Sequence, residues 1–285
     1  MSALARRAEA LGATLPPLLV AAERVAATVA QGVHGRRRVG QGDSFWQYRP
    51  FLPGDAVNRI DWRQSARSDR AFIRETEWEA AQTVALWRDG GESMRWRKGA
   101  PVEKAERAEL LLLALAALLI RGGERVRLLG SEGRAVSSVE RLAELVARQP
   151  AGEGVPPEVP LPRHAQVVLI GDFLAPLEVI QQAVGRMASI PVRGHLLQVL
   201  DPAEAVLPYE GRVRFEGVRR EVSTLIARVE GVREAYGERL AAQQDGLRAI
   251  CRAAGWGFTI HRTDHPAESA LLGLYTALAP QLGRR

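Results

Sequence analysis

The strongest constraint on this chain is an alternation. Five short apolar runs, at residues 83–87, 125–129, 166–170, 194–199 and 257–261, are separated by longer helix-forming stretches at 102–121, 139–148, 177–189, 221–254 and 267–281. Nearly continuous apolar runs describe strands buried on both faces, and the intervening helices supply the crossovers that parallel strands require. The expected fold class is therefore α/β: a doubly wound, mostly parallel sheet. A helical and irregular N-terminal extension precedes it, with the division placed between residues 1–79 and 80–285.

The longest apolar run, residues 110–120, is eleven residues, whereas a bilayer-spanning helix needs about 20. It reads as a core helix covering the sheet. The N-terminus has no charged-then-apolar segment with a cleavage site, and the single cysteine, Cys251, excludes an internal disulfide. A cytoplasmic protein without a membrane span is the expectation. A hydrophobic fraction of 46% and a charged fraction of 25% argue against global disorder.

Ahead of the alternating region, residues 3–30 read as helix, broken at Pro16-Pro17. Residues 31–43 read as a glycine-rich loop carrying Arg36, Arg37 and Arg38. Residues 149–163, with five prolines, form a surface connection, and residues 212–215 an extra short strand. The net charge is +6, and Lys98 and Lys104 are the only lysines among 39 basic residues. Residues 1–75 hold 12 Arg against 7 Asp plus Glu, which raises a nucleic-acid surface as a first hypothesis.

Residue by residue, that surplus divides. Arg49, Arg59, Arg63, Arg67 and Arg70 are interleaved with Asp55, Asp61 and Asp69, an alternation suited to Arg–carboxylate pairs. Trp46, Phe51, Trp62 and Trp78 supply apolar anchors, and Pro53-Gly54 suits a type II turn. The expectation is a buried polar-aromatic seam, including Asp55, Asp61 and Trp62, that docks the segment onto the α/β domain. The unpaired basic residues reduce to the loop Arg36, Arg37 and Arg38, expected to face a protein rather than nucleic acid.

In an open parallel sheet, ligands sit outside the carboxyl ends of the strands. The first run ends in Asp89-Gly90-Gly91-Glu92-Ser93 and the third in Asp172-Phe173, so Asp89 and Asp172 share one edge. Asp89, Ser93 and Asp172 are hard oxygen donors suited to Mg²⁺; the alternative is that the two aspartates cap helix N-termini. No phosphate-cradling Gly-x-x-x-x-Gly-Lys and no Gly-x-Ser-x-Gly elbow is present. His195 and His261 fall in strand runs and Cys251 in a helix, and all three read as structural.

Two resemblances bear on function. The edge resembles the metal-ion-dependent adhesion site of von Willebrand factor A domains, which begins Asp-x-Ser-x-Ser: Asp89 and Ser93 match its ends, Gly91 replaces the middle serine, and Asp172 matches the third-loop aspartate. The second-loop threonine has no counterpart, since no threonine lies between Thr83 and Thr224. Residues 42–75 resemble the signature of the domain-of-unknown-function 58 family. Arg49, Phe51 (where tyrosine is usual), Gly54 and Asp55 are followed by Arg59-Ile60-Asp61-Trp62 and then Ser65-Ala66-Arg67. Asp201-Pro202-Ala203-Glu204 matches a further element. The resemblance implies a von Willebrand A-like domain with a degenerate metal motif. It also implies a non-catalytic adaptor or co-chaperone working with a MoxR-type AAA+ ATPase on an unknown client, in complex maturation or metal insertion. The competing readings are a nucleic-acid-binding module and a Mg²⁺-dependent hydrolase, for which Glu92 would have to serve as base.

Overall fold

The computed structural model describes residues 39–278 apart from 53–54, 58–59, 69, 78–81, 132–133, 151, 153 and 217–222. The helix expected at 3–30, Arg36, Arg37, Arg38, Gly54 and Arg59 lie outside the described residues. The chain divides into two compact units, one within Gly32–Ala81 and one within Gln82–Arg285.

In the larger unit five strands form one sheet: β3 (Thr83–Arg88), β4 (Arg125–Leu128), β5 (Gln166–Gly171), β6 (Arg193–Leu200) and β9 (Gly257–Arg262). Their order is β4-β3-β5-β6-β9, and every pairing is parallel. The order reverses at β3, so the topological switch point lies between β3 and β5. Alternate residues serve opposite faces: Val84 and Leu86 join one core, Ala85 and Trp87 the other.

The first core is built on helices α2 (Lys104–Arg121), α3 (Val139–Arg148) and α7 (Ala267–Leu278); the second is built on α4 (Leu177–Ala188) and α6 (Arg233–Ala253). The eleven-residue apolar run lies in α2, and Leu111 to Leu119 are all buried, as a helix hydrophobic on every side requires. Truncating one of these leucines to alanine costs about 2–5 kcal/mol. On the other face the ring of Trp256 lies over Gly194 so closely that a Cβ there would sit 2.0 Å from a ring carbon. Only glycine fits that strand position.

Strand β4 is an edge. Arg125 and Arg127 alternate along it with the buried Val126 and Leu128. Its outer side is met by an isolated antiparallel bridge in which the Val136 N–H donates to the Val126 carbonyl at 2.7 Å.

One expectation for this unit changes. The helix expected at 221–254 begins only at Arg233. Ahead of it β7 (Val213–Phe215) pairs antiparallel with β8 (Thr224–Ile226), and a single 3₁₀ turn, Val229–Val232, buries Val229. The β-branched Thr224 and Ile226 find cross-strand partners that outweigh helix continuation. The short strand expected at 212–215 is β7 itself.

The smaller unit is described by itself. β1 (Val39–Pro50) pairs antiparallel with β2 (Phe72–Glu77). The loop expected at 31–43 is thus strand from Val39, because cross-strand pairing satisfies the backbone despite its glycines. Arg49 makes a bidentate pair with Asp55, at 2.6 and 2.7 Å, and the Leu52 N–H donates to the same carboxylate at 2.8 Å. Asp61 caps the one-turn helix α1 (Trp62–Ser65), accepting from the Gln64 N–H at 2.9 Å, and Tyr48 donates its hydroxyl to Asp61 at 3.3 Å. Asp55 and Asp61 therefore hold the segment's own turns. Trp62 corrects the seam: it is 66% exposed, on a one-turn helix that buries none of its residues. The expected alternation of ion pairs also shortens: among the described residues Arg63, Arg67 and Arg70 are exposed and form no ion pair, and Ala66 is the exposed C-cap.

Candidate functional site

The site occupies the carboxyl edge of the sheet at its switch point. The Asp89 N–H donates to the Ile170 carbonyl at 2.8 Å, holding the exit of β3 against β5, and its buried Oδ1 accepts from the Gly91 N–H at 2.7 Å. Asp172 follows β5 and is 2% exposed. Its carbonyl accepts from Gln198 Nε2 at 2.9 Å. Phe173, next in the chain, takes a left-handed backbone at φ 50°, and Gln243 of α6 donates to its carbonyl at 2.9 Å. A buried non-glycine residue in that region is strained, and these glutamine bonds and the tilted packing of Phe173 on Trp87 hold it. Neither Asp89 nor Asp172 caps a helix: α2 starts after Glu103 and α4 after Pro176.

The centre of the site is Lys104, the first residue of α2, whose side chain is wholly buried. Its Nζ donates to Asp172 Oδ2 at 3.0 Å and to Glu204 Oε1 at 2.6 Å. A buried ammonium is tolerated only when paired and hydrogen-bonded, and here two carboxylates meet it. Glu204 lies in the short helix α5 (Pro202–Val206) just after β6. Its other oxygen accepts from the Asp201 N–H at 2.9 Å, completing a capping box in which Asp201 accepts from the Ala203 N–H at 2.8 Å. Asp201, also buried, takes the Lys98 and Gly99 N–H groups as well, at 3.0 and 2.9 Å. Burial pushes the Glu204 carboxyl above its usual range, while Lys104 pulls against that shift and Asp172 adds to it.

The same helix serves β9. Arg107, one turn after Lys104, meets His261 Nε2 at 3.0 Å and donates to the Thr263 and His265 carbonyls at 3.0 and 2.6 Å. Arg88, at the end of β3, lies 3.5 Å from Glu109. The N-terminal half of α2 thus ties together the exits of β3, β5, β6 and β9. Burial lowers the His261 and His195 imidazoles to about 4, and Arg107 adds to the effect at His261. His195 meets the Thr259 hydroxyl at 2.9 Å. Both histidines and Cys251 are buried, and burial raises the Cys251 thiol to about 12.

Of the expected metal ligands, the structure places Asp89 and Asp172 on neighbouring strand ends and Ser93, half-buried, on the 3₁₀ turn Glu92–Arg95. The set does not fit a divalent ion: the Lys104 ammonium already stands on Asp172, and Asp89 accepts from a backbone N–H. Among the described residues no group of three His, Cys, Asp or Glu side chains converges to hold a metal. The residues missed from sequence are Lys104 and Glu204. Two signals point to them: the rarity of lysine in an arginine-rich chain, and the Asp201-Pro202-Ala203-Glu204 element.

Beside this edge an apolar cavity of about 610 Å³ opens between the β7–β8 hairpin and the start of α6, lined by Leu207, Phe215, Ile226, Val232, Tyr236 and Arg239. Tyr236 connects it to the charged cluster by donating its hydroxyl to the Glu204 carbonyl at 2.6 Å. Burial first, then Glu204 and Tyr209, push that phenol up to about 12.

The class is thus an α/β domain with a five-stranded parallel sheet, whose switch-point edge is closed by an internal lysine–dicarboxylate cluster. The chain belongs to the family described as "Protein of unknown function DUF58", whose profile matches residues 47–246. It is 25% identical over 275 residues to the uncharacterized proteins Rv1480 of Mycobacterium tuberculosis and Mb1516 of Mycobacterium bovis, with 89% of this chain and 85% of each relative covered. Among solved structures it is similar to the conserved hypothetical protein BatB from Bacteroides thetaiotaomicron, at 15% identity and a TM-score of 0.40. That match covers 69% of this chain and 97% of the other. It is also similar to an aerotolerance-related membrane protein from Bacteroides fragilis, at 16% identity and a TM-score of 0.38, over 69% of this chain and 98% of the other. Among the described residues no helix is long and apolar enough to cross a membrane.

Proposed function

We propose that this chain is a non-catalytic adaptor that presents the carboxyl edge of its sheet to a MoxR-type AAA+ ATPase during the maturation of a protein complex or the insertion of a metal into a client. The observation that carries the reading is the commitment of these charged groups of the edge to internal partners: Asp172 and Glu204 to Lys104, and Asp201 to three backbone N–H groups. Such a cluster fixes loop geometry, which is what a recognition surface requires. The apolar cavity beside it offers a place for an anchoring side chain of the partner. Family membership supports the same reading through the resemblance to a von Willebrand A-like domain.

The test is capture of the purified ATPase by the immobilised full chain, wild type against Ile226→Asp, which places a charge in the apolar cavity. Capture by the wild type and its loss in the variant, with the thermal midpoint retained, is the expected result. No capture by the wild type overturns the proposal.

A further inference from the structure

The edge that in sequence offers oxygen ligands for a divalent ion holds a lysine instead. Lys104 is wholly buried, Asp172 is 2% exposed, and oxygens of Asp172 and Glu204 converge on one nitrogen at 3.0 and 2.6 Å. These two residues lie 68 and 100 positions from Lys104 and follow different strands, so the contact is a tertiary construction. An ammonium is a compact point charge with three donors, whereas the planar fork of arginine would address one carboxylate bidentately. In a chain with only two lysines among 39 basic residues, one stands at this position. The neighbouring carboxylates are otherwise engaged: Asp201 by the N–H groups of Lys98, Gly99 and Ala203, and Asp89 Oδ1 by that of Gly91.

We propose that Lys104 is the resident cation of this site: its ammonium does at the switch-point edge what a bound divalent ion would do, so the native edge takes no such ion, and removal of the ammonium converts Asp172 and Glu204 into ligands of one. The electrostatic reason is direct. A divalent ion on the same two oxygens would share their coordination shell with a positive charge that cannot leave, since Lys104 is anchored on α2. With the side chain cut back to Cβ, the buried carboxylate of Asp172 and the half-buried one of Glu204 are left without their counter-charge, and the volume of the lost stem is free for an ion that keeps waters of its own. This inference stands independently of the adaptor reading.

The experiment compares the full-length wild type, Asp172→Asn, Lys104→Ala and Lys104→Ala/Asp172→Asn. It uses thermal unfolding in EDTA, in Mg²⁺ and in Mn²⁺, with bound Mn²⁺ counted from the loss of the free-ion electron paramagnetic resonance signal. The wild-type midpoint is expected to be the same in all three conditions, with no ion taken at this edge. Lys104→Ala should unfold at lower temperature in EDTA, take up one Mn²⁺ and regain part of its midpoint by mass action, and the added Asp172→Asn should abolish both responses. If Lys104→Ala is unfolded in EDTA, refolding by Mn²⁺ is the expected result. A wild type whose midpoint rises with Mn²⁺ and no longer does so after Asp172→Asn overturns the proposal. So does a Lys104→Ala chain that takes up no ion, whether folded or unfolded.

Discussion

The Nζ of Lys104 stands 3.0 Å from Oδ2 of Asp172, with both side chains sealed from solvent. Breaking such a pair from one side leaves an uncompensated buried charge, at a cost of about 3–5 kcal/mol. Lys104→Met should lower the unfolding free energy by that amount in urea, and adding Asp172→Asn and Glu204→Gln should recover part of it. A cost for Lys104→Met under about 1 kcal/mol, the scale of an exposed ion pair, would show that the pair carries no special weight.

Acid should weaken the fold through its buried imidazoles. His195 and His261 are lowered to about 4, against about 6.5 when unfolded. A base with a depressed folded value is neutral in the native state and takes a proton on unfolding. Its contribution is therefore complete above about pH 6.5 and is lost as pH falls from there to about 4, approaching 1.4 kcal/mol per pH unit for each histidine. Glu204, whose carboxyl is raised, works in the opposite sense. Urea unfolding at several pH values, wild type against His195→Gln, isolates one histidine: the variant should show a shallower loss across that window, and equal slopes would refute the assignment.

Trp256 over Gly194 predicts a coupled pair. Gly194→Ala drives a methyl group into the ring and should lower the thermal midpoint markedly, because the 2.0 Å approach leaves no room for small adjustments. Trp256→Ala alone loses buried aromatic surface. The double variant should be more stable than the sum of the two costs, and strict additivity would place the ring elsewhere.

Neighbouring signature residues should differ in effect. Asp61→Ala removes an N-cap and the acceptor of Tyr48, and should cost about 1 kcal/mol. Trp62→Ala, at a side chain 66% exposed, should move stability by no more than about 0.5 kcal/mol. Denaturation curves of the two variants decide the matter, and a large loss for Trp62→Ala would restore the buried seam.

The sheet was legible because its strands are short apolar runs separated by helices long enough to cross over, and that same pattern brought Asp89 and Asp172 to one edge. The partners of Asp172 were not legible. A lysine just ahead of the apolar run at 110–120 looks like a solvated helix start, and only the placement of α5 after β6 brings Glu204 onto it. The start of α6 differs from the sequence pattern for a related reason: Thr224-Leu225-Ile226 is ambiguous locally and becomes strand only because Val213–Phe215 lies alongside. Residue type alone argues for a buried Trp62, whereas the one-turn helix that carries it is too short to present a buried face.

The outer side of β4 has a consequence of its own. An open parallel sheet ends in a row of backbone groups that another chain can extend. Here Val136 claims the Val126 carbonyl, and two arginines line the same short strand. Lateral growth of the sheet is obstructed at that margin, so copies of this chain can be crowded together without being templated into a continuous ribbon there.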